Sequence, residues 1–457
     1  MADTIAAIAT AVSISAIGII RVSGDAAIDI ACRIFRAKNK TDLKTAKDRT
    51  LYLGDLLGEN GDVIDICLCT VSRGPNSYTG EDTVEFQCHG SPVVLADGLR
   101  SLFSHGARQA GPGEFTKRAF LNGRMDLSQA EAVIDLIDAE TSAAAQNAAA
   151  QLDGAIFRKI SSIYDSLLDI MAHFHAVLDY PDEDIDDFKL KNYIAVLQDA
   201  KTSLSLLNDT FARGQIMKNG VKTAIIGRPN AGKSSLLNAL LGYDRAIVTD
   251  IAGTTRDTIE EKVSLGKILL RLIDTAGIRQ TDDTIEALGV ERSKSAAESA
   301  QLVLAVFDGS QPLTDEDMQV IKAAKEAPMC IAVINKSDLE QKTDVSYISS
   351  VIPETCVVSA LTGSGIKLIE TAVSSMLDGG DSSIPAGEIL TNARQAQAVS
   401  CAIESLSAAH NAMEQGITAD AALTEIEAAL SFLGEITGKT IREDITSRIF
   451  ERFCVGK

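Results

Sequence analysis

The sequence predicts a multidomain protein: α/β at its N-terminal end, all-α beyond that, and interrupted by a second α/β domain. Three observations carry the prediction. Through about residue 120, short β-like runs alternate with helical ones. From Asp126 the chain turns Ala-rich, with apolar residues at helical spacing in long stretches, the pattern of a helical bundle. Between Asn219 and Leu377 a series of apolar strands each ends in a polar loop of fixed spacing, after which helical patterning resumes. The middle domain is therefore inserted into the helical one, which chains tolerate because domain termini usually lie close together. The expected division is 1–120 for the N-terminal α/β domain, 121–218 with 382–457 for the helical domain, and 219–380 for the insert.

The stretch Lys222 to Asp257 organises the chain. Thr223 to Ile226 is an apolar run that ends in Gly227-Arg228-Pro229-Asn230-Ala231-Gly232-Lys233-Ser234, and Leu236, Leu237, Leu240 and Leu241 follow at helical spacing. This is the phosphate-loop spacing G-x-x-x-x-G-K-[ST] in its strand–loop–helix context. Backbone N–H groups of such a loop converge on phosphate oxygens, and the helix N-terminus adds its orphan donors. Lys233 is expected to reach the β- and γ-phosphates and Ser234 to hold Mg²⁺.

Later elements decide the nucleotide. Leu269 to Ile273 leads into Asp274-Thr275-Ala276-Gly277, where Asp274 is suited to Mg²⁺ through water and Gly277 to the γ-phosphate. Leu302 to Phe307 is another buried-strand candidate. Cys330 to Ile334 ends in Asn335-Lys336-Ser337-Asp338. A carboxylate at Asp338 accepts two hydrogen bonds from the N1–H and N2–H₂ edge of guanine, whereas adenine would leave it unpaired. Val357 and Val358 lead into Ser359-Ala360-Leu361, a loop placed to close over the base. Four such elements in order predict a GTP-binding, Ras-like P-loop domain.

In Ras a Gln after the D-x-x-G motif orients the attacking water. Ile278 holds that position here and has no group to do so. Glu286, in the stretch Gln280 to Leu288, is the candidate for handling the water. No arginine finger is marked, so a monovalent cation is the candidate source of positive charge, with Asn230 offering a neutral oxygen.

The remainder of the chain is less pointed. With 457 residues, 46% hydrophobic and 23% charged, it has ample core for two to four domains. No apolar run reaches the length of a membrane-spanning helix, and Ile5 to Ile20 lacks the basic flank of a signal peptide, so a cytoplasmic location is expected. Eight scattered Cys with no CxxC pair fit reduced thiols, and five His give no zinc pattern. The net charge of −20 argues against a general nucleic-acid coat, although Arg33 to Arg49 carries seven basic residues against two acidic ones. An acidic run spans 179–187. Expected strands are Ile17 to Val22, Asp62 to Val71 and Thr83 to Cys88, with a helix from Ser91 to Ser104. Two turn-rich loops, Gly74 to Asp82 and Gly111 to Thr116, suit a small-molecule site. Long helices are expected over Leu127 to Leu152, Ile156 to Leu178, Lys191 to Phe211, Glu388 to Glu414 and Ala419 to Leu433. The tail Phe453-Cys454-Val455 is apolar enough to dock on another domain.

Taken together, these residues resemble the tRNA modification GTPase MnmE (TrmE) family over the whole chain. The resemblance rests on Asp3 to Ala7, Gly18 to Gly24, the Pro75 to Asp82 loop, Pro112 to Thr116, Leu121 to Leu127, the inserted GTP domain and the terminal Cys-x-Gly-Lys. It implies an N-terminal tetrahydrofolate-binding domain, a helical bundle, an inserted G domain and a homodimer formed through the N-terminal domains. It implies work with a flavin-dependent partner, MnmG (GidA), in a heterotetramer or larger complex, the FAD residing in that partner. The reaction would place an aminomethyl or carboxymethylaminomethyl group on C5 of the tRNA wobble uridine. The carbon would come from 5,10-methylenetetrahydrofolate, or the site would take 5-formyltetrahydrofolate.

By resemblance the GTP contacts are Asn230, Ala231, Gly232, Lys233, Ser234 and Ser235. They continue through Thr249, Asp250, Ile251, Ala252, Gly253, Thr254 and Thr255, then Asp274, Thr275, Ala276 and Gly277. Asn335, Lys336, Asp338, Ser359, Ala360 and Leu361 complete them. Potassium would be held by Asn230, Thr249, Ile251 and Thr254, and Mg²⁺ by Ser234 and Thr255. Glu286 matches the family's catalytic Glu, and Cys454 its terminal Cys, a candidate in the modification chemistry. Folate contacts would be Arg21, Glu81, Arg124 and Lys457. Two departures stand out: Ala11 to Ala16 replaces a Pro- and Gly-rich turn, and Arg124 stands where some members carry Lys. Two alternatives are a ribosome-assembly GTPase of the Era or EngA type, which would need an RNA-binding domain after the G domain, and a folate-dependent aminomethyl carrier with a regulatory GTPase.

Overall fold

The computed structural model describes residues 3–179, 187–243, 261–273, 296–377, 384–415, 419–440, 443–451 and 453–456. It contains two compact units, one of residues 1–134, 151–200 and 401–457, the other of 135–150 and 201–400. Thr249 to Thr255, Asp274 to Gly277, Glu286, Lys457 and most of the acidic run lie outside the described residues.

The first unit is built on a seven-stranded sheet of β1 (Ile5–Ile8), β2 (Ser15–Ser23), β3 (Phe35–Ala37), β4 (Tyr52–Leu57), β5 (Val63–Ser72), β6 (Thr83–Gly90) and β7 (Arg108–Gln109), in the order β3-β4-β5-β6-β2-β1-β7. Alternation sets its two faces. Ile20 and Val22 of β2, Cys67, Cys69 and Val71 of β5, and Val84, Phe86 and Cys88 of β6 pack against α1 (Ala27–Ile34) and α2 (Pro92–Ser104). The other set leaves Ile17, Leu53 and Ile66 more than half exposed. All eight cysteines are free thiols. Helix α3 (Glu114–Leu121) follows the second turn-rich loop.

The helices that follow are α4 (Leu127–Ile137), α5 (Ser142–Leu152), α6 (Ala155–Asp179), α7 (Asp187–Asp209) and α8 (Phe211–Asn219). The single helix expected over Leu127 to Leu152 is thus two. Thr141 causes the break: its Oγ1 accepts from the Ala144 N–H (3.2 Å) and starts a new helix. The helix expected to run to Phe211 likewise stops at Asp209, and Thr210 precedes a fresh start.

The second α/β domain has a six-stranded sheet, β8 (Val221–Gly227), β9 (Glu261–Leu265), β10 (Ile268–Leu272), β11 (Leu302–Asp308), β12 (Met329–Asn335) and β13 (Thr355–Val357), in the order β13-β12-β11-β8-β10-β9. Only the β9–β10 pair is antiparallel. β11 is buried at every position, as a central parallel strand covered on both faces must be. Helices α9 (Lys233–Tyr243), α10 (Asp315–Glu326), α11 (Val345–Val351) and α12 (Ile366–Leu377) belong to this domain. The loops after β8, β12 and β13 gather at the carboxyl end of the sheet, where open α/β sheets bind ligands.

Entry to this domain and exit from it are clasped together. Thr210 Oγ1 accepts from Leu390 N–H (2.9 Å), Gln215 donates to the Thr391 carbonyl (2.9 Å), and Asn147 exchanges hydrogen bonds with Gly387 N–H (2.8 Å) and the Ile389 carbonyl (3.2 Å). Asp135 receives Lys218 on one oxygen (2.6 Å) and Thr391 on the other (2.7 Å). Because 387–391 serves this clasp, the helix expected from Glu388 begins later, as α13 (Ala393–Glu414), with Asn392 accepting from Arg394 N–H (2.9 Å) at its start.

Helices α14 (Ala419–Thr437) and α15 (Glu443–Phe450) complete the chain, and α14 packs on α6. The tail then docks. Phe450 and Phe453 are buried with Leu127 and Ala130, Val455 bridges to Pro112, and Gly113 N–H donates to the Cys454 carbonyl (3.2 Å). Gly456 sits at φ +101°, and a Cβ there would lie 2.3 Å from the Ile8 carbonyl oxygen, so only glycine fits.

Candidate functional site

The inserted domain builds its loop around a short turn between β8 and α9. Asn230 (φ +59°) and Gly232 (φ +98°) both take left-handed backbone, which lets the chain wrap before the helix opens at Lys233. The Lys233 ammonium folds back onto the carbonyls of Gly227 and Arg228 (2.8 Å each), and burial lowers its pKa. An arriving phosphate would exchange those two neutral acceptors for charged ones. Ser234 opens the helix beside it, and Asn230 is exposed.

Asn335 is the hub. It is buried, its Nδ2 donates to the Ala231 carbonyl (3.1 Å), and its Oδ1 accepts from Ala360 N–H (3.0 Å). One side chain therefore ties the phosphate loop to the loop after β13. Ser359 Oγ donates to Asp338 Oδ1 (2.6 Å), which ties the carboxylate to the loop after β13. Lys336, also left-handed at φ +63°, pairs with Asp308 Oδ2 (2.6 Å). Burial alone would raise the Asp308 carboxyl, but hydrogen bonds from Lys336 and Ser310 outweigh it and hold the pKa below the usual range. Leu361 is 84% exposed, and Ser235 is exposed as well.

Two residues here escaped the sequence reading. Asp308 closes β11 and holds Lys336. Asp317, 2% exposed, forms the capping box of α10 with Thr314 and an ion pair with Arg228 of the phosphate loop (3.4 Å). The Thr314-x-x-Asp317 spacing was the available signal for the cap; nothing local marks its partner.

In the first unit, the loop after β5 and helix α3 build a charged cluster. Arg118, 8% exposed, donates to both oxygens of Glu81 (3.2 and 3.0 Å), to Glu114 (3.0 Å), and to Asp3 through its carbonyl (2.9 Å) and carboxylate (2.8 Å). Ser23 Oγ also donates to Glu81 (2.8 Å). Arg21 pairs with Glu85 (2.7 Å), and its guanidinium lies over the rings of Tyr78 (5.3 Å) and Phe115 (5.6 Å). Arg124 Nε donates to the Ser77 carbonyl (3.1 Å). The structure thus gathers Arg21, Glu81 and Arg124 around one loop, 77–81. Burial would raise Glu114, yet Arg108, the Gly111 N–H and Arg118 hold it down to about 2. Cys454 is exposed, next to the Gly113 that precedes α3. Arg118 was missed from sequence; its i,i+4 spacing from Glu114 was the signal.

Comparisons with known proteins identify the family. Residues 4–124 match the family model described as the GTP-binding protein TrmE N-terminus, and residues 127–454 match that of the MnmE helical domain. Over 457 residues, all of this chain and 99% of the other, the chain is 42% identical to the tRNA modification GTPase MnmE of Clostridioides difficile. The chain belongs to the MnmE family. As a member it is a tRNA modification GTPase. Relatives of the same name in Alkaliphilus oremlandii and Thermoanaerobacter pseudethanolicus are 42% and 43% identical, each over all of this chain and 99% of the relative. Among the described residues no helix of this MnmE-family chain is long and apolar enough to cross a membrane.

Proposed function

We propose that the chain is a potassium-activated GTPase that works with the flavin-dependent MnmG to place an aminomethyl or carboxymethylaminomethyl group on C5 of the tRNA wobble uridine. The observation that carries this reading is the pairing, in one chain, of a guanine-nucleotide loop set tied by Asn335 with the Glu81–Arg118–Arg21 cluster beside the Cys454 segment. The division into domains at 1–120, 121–218 with 382–457, and 219–380 belongs to the same proposal.

The nucleotide half follows from its donors. Asp338 reads guanine, Lys233 and the loop N–H groups take the phosphates, and Ser234 with Thr255 would hold Mg²⁺. Asn230, an exposed neutral amide beside a helix N-terminus, fits a monovalent cation, with Thr249, Ile251 and Thr254 as the other donors. Held there, a potassium ion would supply positive charge beside the phosphates, in place of an arginine finger. Glu286 orients the attacking water in place of the missing Gln. The remaining nucleotide contacts are those already named between Thr249 and Gly277.

The donor set around 77–81 also fits a reduced pterin: Glu81 accepts, Tyr78 offers a ring face, and Arg21, Arg124 and Lys457 supply cations for the carboxylates of a folate tail. Methylenetetrahydrofolate supplies the one-carbon unit when bound. Exposed apolar residues on the open sheet face, among them Ile17 (60%), Leu53 (53%) and Ile66 (51%), support a homodimer formed through this domain.

The test is reconstitution: the chain, MnmG, unmodified tRNA, GTP, methylenetetrahydrofolate and a nitrogen donor in potassium buffer, with nucleosides digested and weighed. Modified uridine that requires every component is the expected outcome. GTP turnover with no mass gain on uridine would overturn the reading.

A further inference from the structure

The basic segment 33–49 has no part in either site. In a chain of net charge −20 it carries seven basic residues and two acidic ones. It runs along β3, the edge strand of the N-terminal sheet, and the loop that follows. An open cleft of about 550 Å³ lies there, and its lining includes Arg36, Lys38, Lys40 and Lys44. Two carboxylates share it, and both are engaged. Asp55 takes the Lys38 ammonium, and Asp42 accepts from Lys44 N–H (2.9 Å). The Lys44 ammonium pairs with Asp29 (2.7 Å). Arg36 and Lys40 are exposed, and among the described residues neither meets a carboxylate. Lys40 occupies a left-handed turn position (φ +62°) that glycine would take without steric cost.

A concave, cation-lined surface whose Arg36 and Lys40 form no ion pair among the described residues suits phosphodiester oxygens, to which Arg binds bidentately and Lys as a point charge. It carries no exposed aromatic platform for reading bases, so it suits a backbone and not a sequence. We propose that this cleft at the β3 edge is a contact surface for the phosphate backbone of the tRNA substrate. The inference rests on the reading of the chain as a tRNA-modifying enzyme and adds where the RNA is held. The surface positions its ligand and takes no part in chemistry.

The experiment uses the full chain and the double variant R36Q/K40Q, with K322Q/K367Q on the G domain as a charge-matched control. Affinity for tRNA is measured by fluorescence anisotropy from low to moderate potassium chloride, alongside GTP hydrolysis and complex formation with MnmG. Each lost phosphate contact removes roughly 0.7–0.9 from the slope of log affinity against log salt. The expected result is binding about tenfold weaker at low salt and a slope shallower by roughly 1.5 for R36Q/K40Q, with hydrolysis unchanged and the control like the parent. An unchanged slope and affinity would overturn the proposal. So would loss of MnmG binding with tRNA binding intact, which would make the cleft a protein contact. Failure of the broader reading is separately visible: a strain lacking this chain would then keep its wobble-uridine modification, whatever the cleft variants do.

Discussion

Gly232 and Asn335 approach so closely that a Cβ on the glycine would lie 2.1 Å from the asparagine Nδ2. The contact joins the phosphate loop to the strand end that carries the base-recognition motif, and both members are constrained by it. Gly232→Ala would force a left-handed alanine into that amide, so nucleotide binding should be lost while the fold survives. Asn335→Ala releases the Ala231 carbonyl and leaves the Ala360 N–H unpaired, a cost of about 1–3 kcal/mol, or roughly ten- to hundredfold in GTP affinity. Titration with a fluorescent GTP analogue reads both.

Base specificity should rest on Asp338. Its carboxylate accepts from two guanine donors; an amide presents one acceptor and one donor. Asp338→Asn should weaken GTP by at least about a hundredfold and improve xanthosine triphosphate, whose O2 accepts where guanine donates. Parallel affinity measurements with the two nucleotides decide it, and an unchanged preference for GTP would assign recognition elsewhere.

The proposed cation mechanism predicts a salt-specific rate. GTP hydrolysis in potassium chloride should exceed that in sodium chloride at equal ionic strength by an order of magnitude or more, and Glu286→Ala should abolish the activity with little change in GTP affinity. Equal rates in the two salts would leave the domain a switch that awaits an external activator.

The acidic limb of stability should come partly from Glu114. Its folded pKa of about 2 lies below the ordinary 4.5, so its contribution is complete above about 4.5 and fades as the pH falls toward 2. Glu114→Gln should lower the melting temperature at neutral pH and flatten its decline over that acid window. A parallel shift of the whole curve would show that the ion pairs with Arg108 and Arg118 add nothing to it.

The docked tail predicts a separation of functions. Gly456→Ala places a side chain against the Ile8 carbonyl at a φ that disfavours one. Uridine modification should fall severely while GTP hydrolysis stays near the parent's, since the nucleotide loops belong to the other unit. Limited proteolysis of residues 451–457 would report the release directly.

The fold and the nucleotide loops were legible because their signals are local. A glycine-lysine turn between an apolar run and a helical one, or an Asp after a buried strand, requires no knowledge of distant chain. Asn335 was named for its motif, but its grip on Ala231, 104 residues away, exists only once β12 lies two strands from β8 in the folded sheet. Arg118 was hidden for the same reason: three of its four carboxylate and carbonyl partners come from Asp3 and Glu81, which the sheet brings to α3. The helix break at Thr141 was obscured by alanines on both sides, which score well in any helix. The tail was legible only as an apolar end; its seat on Pro112 is tertiary.

The clasp at 387–391 has a mechanical consequence. A domain hung from one strand swivels, and whatever it does is dissipated in the linker. Here Thr210 and α8 on the way into the nucleotide-binding domain and residues 387–391 on the way out are pinned to each other and to Asn147 and Asp135. Twist applied at the sheet is resisted by a helix and an extended segment held side by side, so the neck is stiff in torsion where a single linker would be slack.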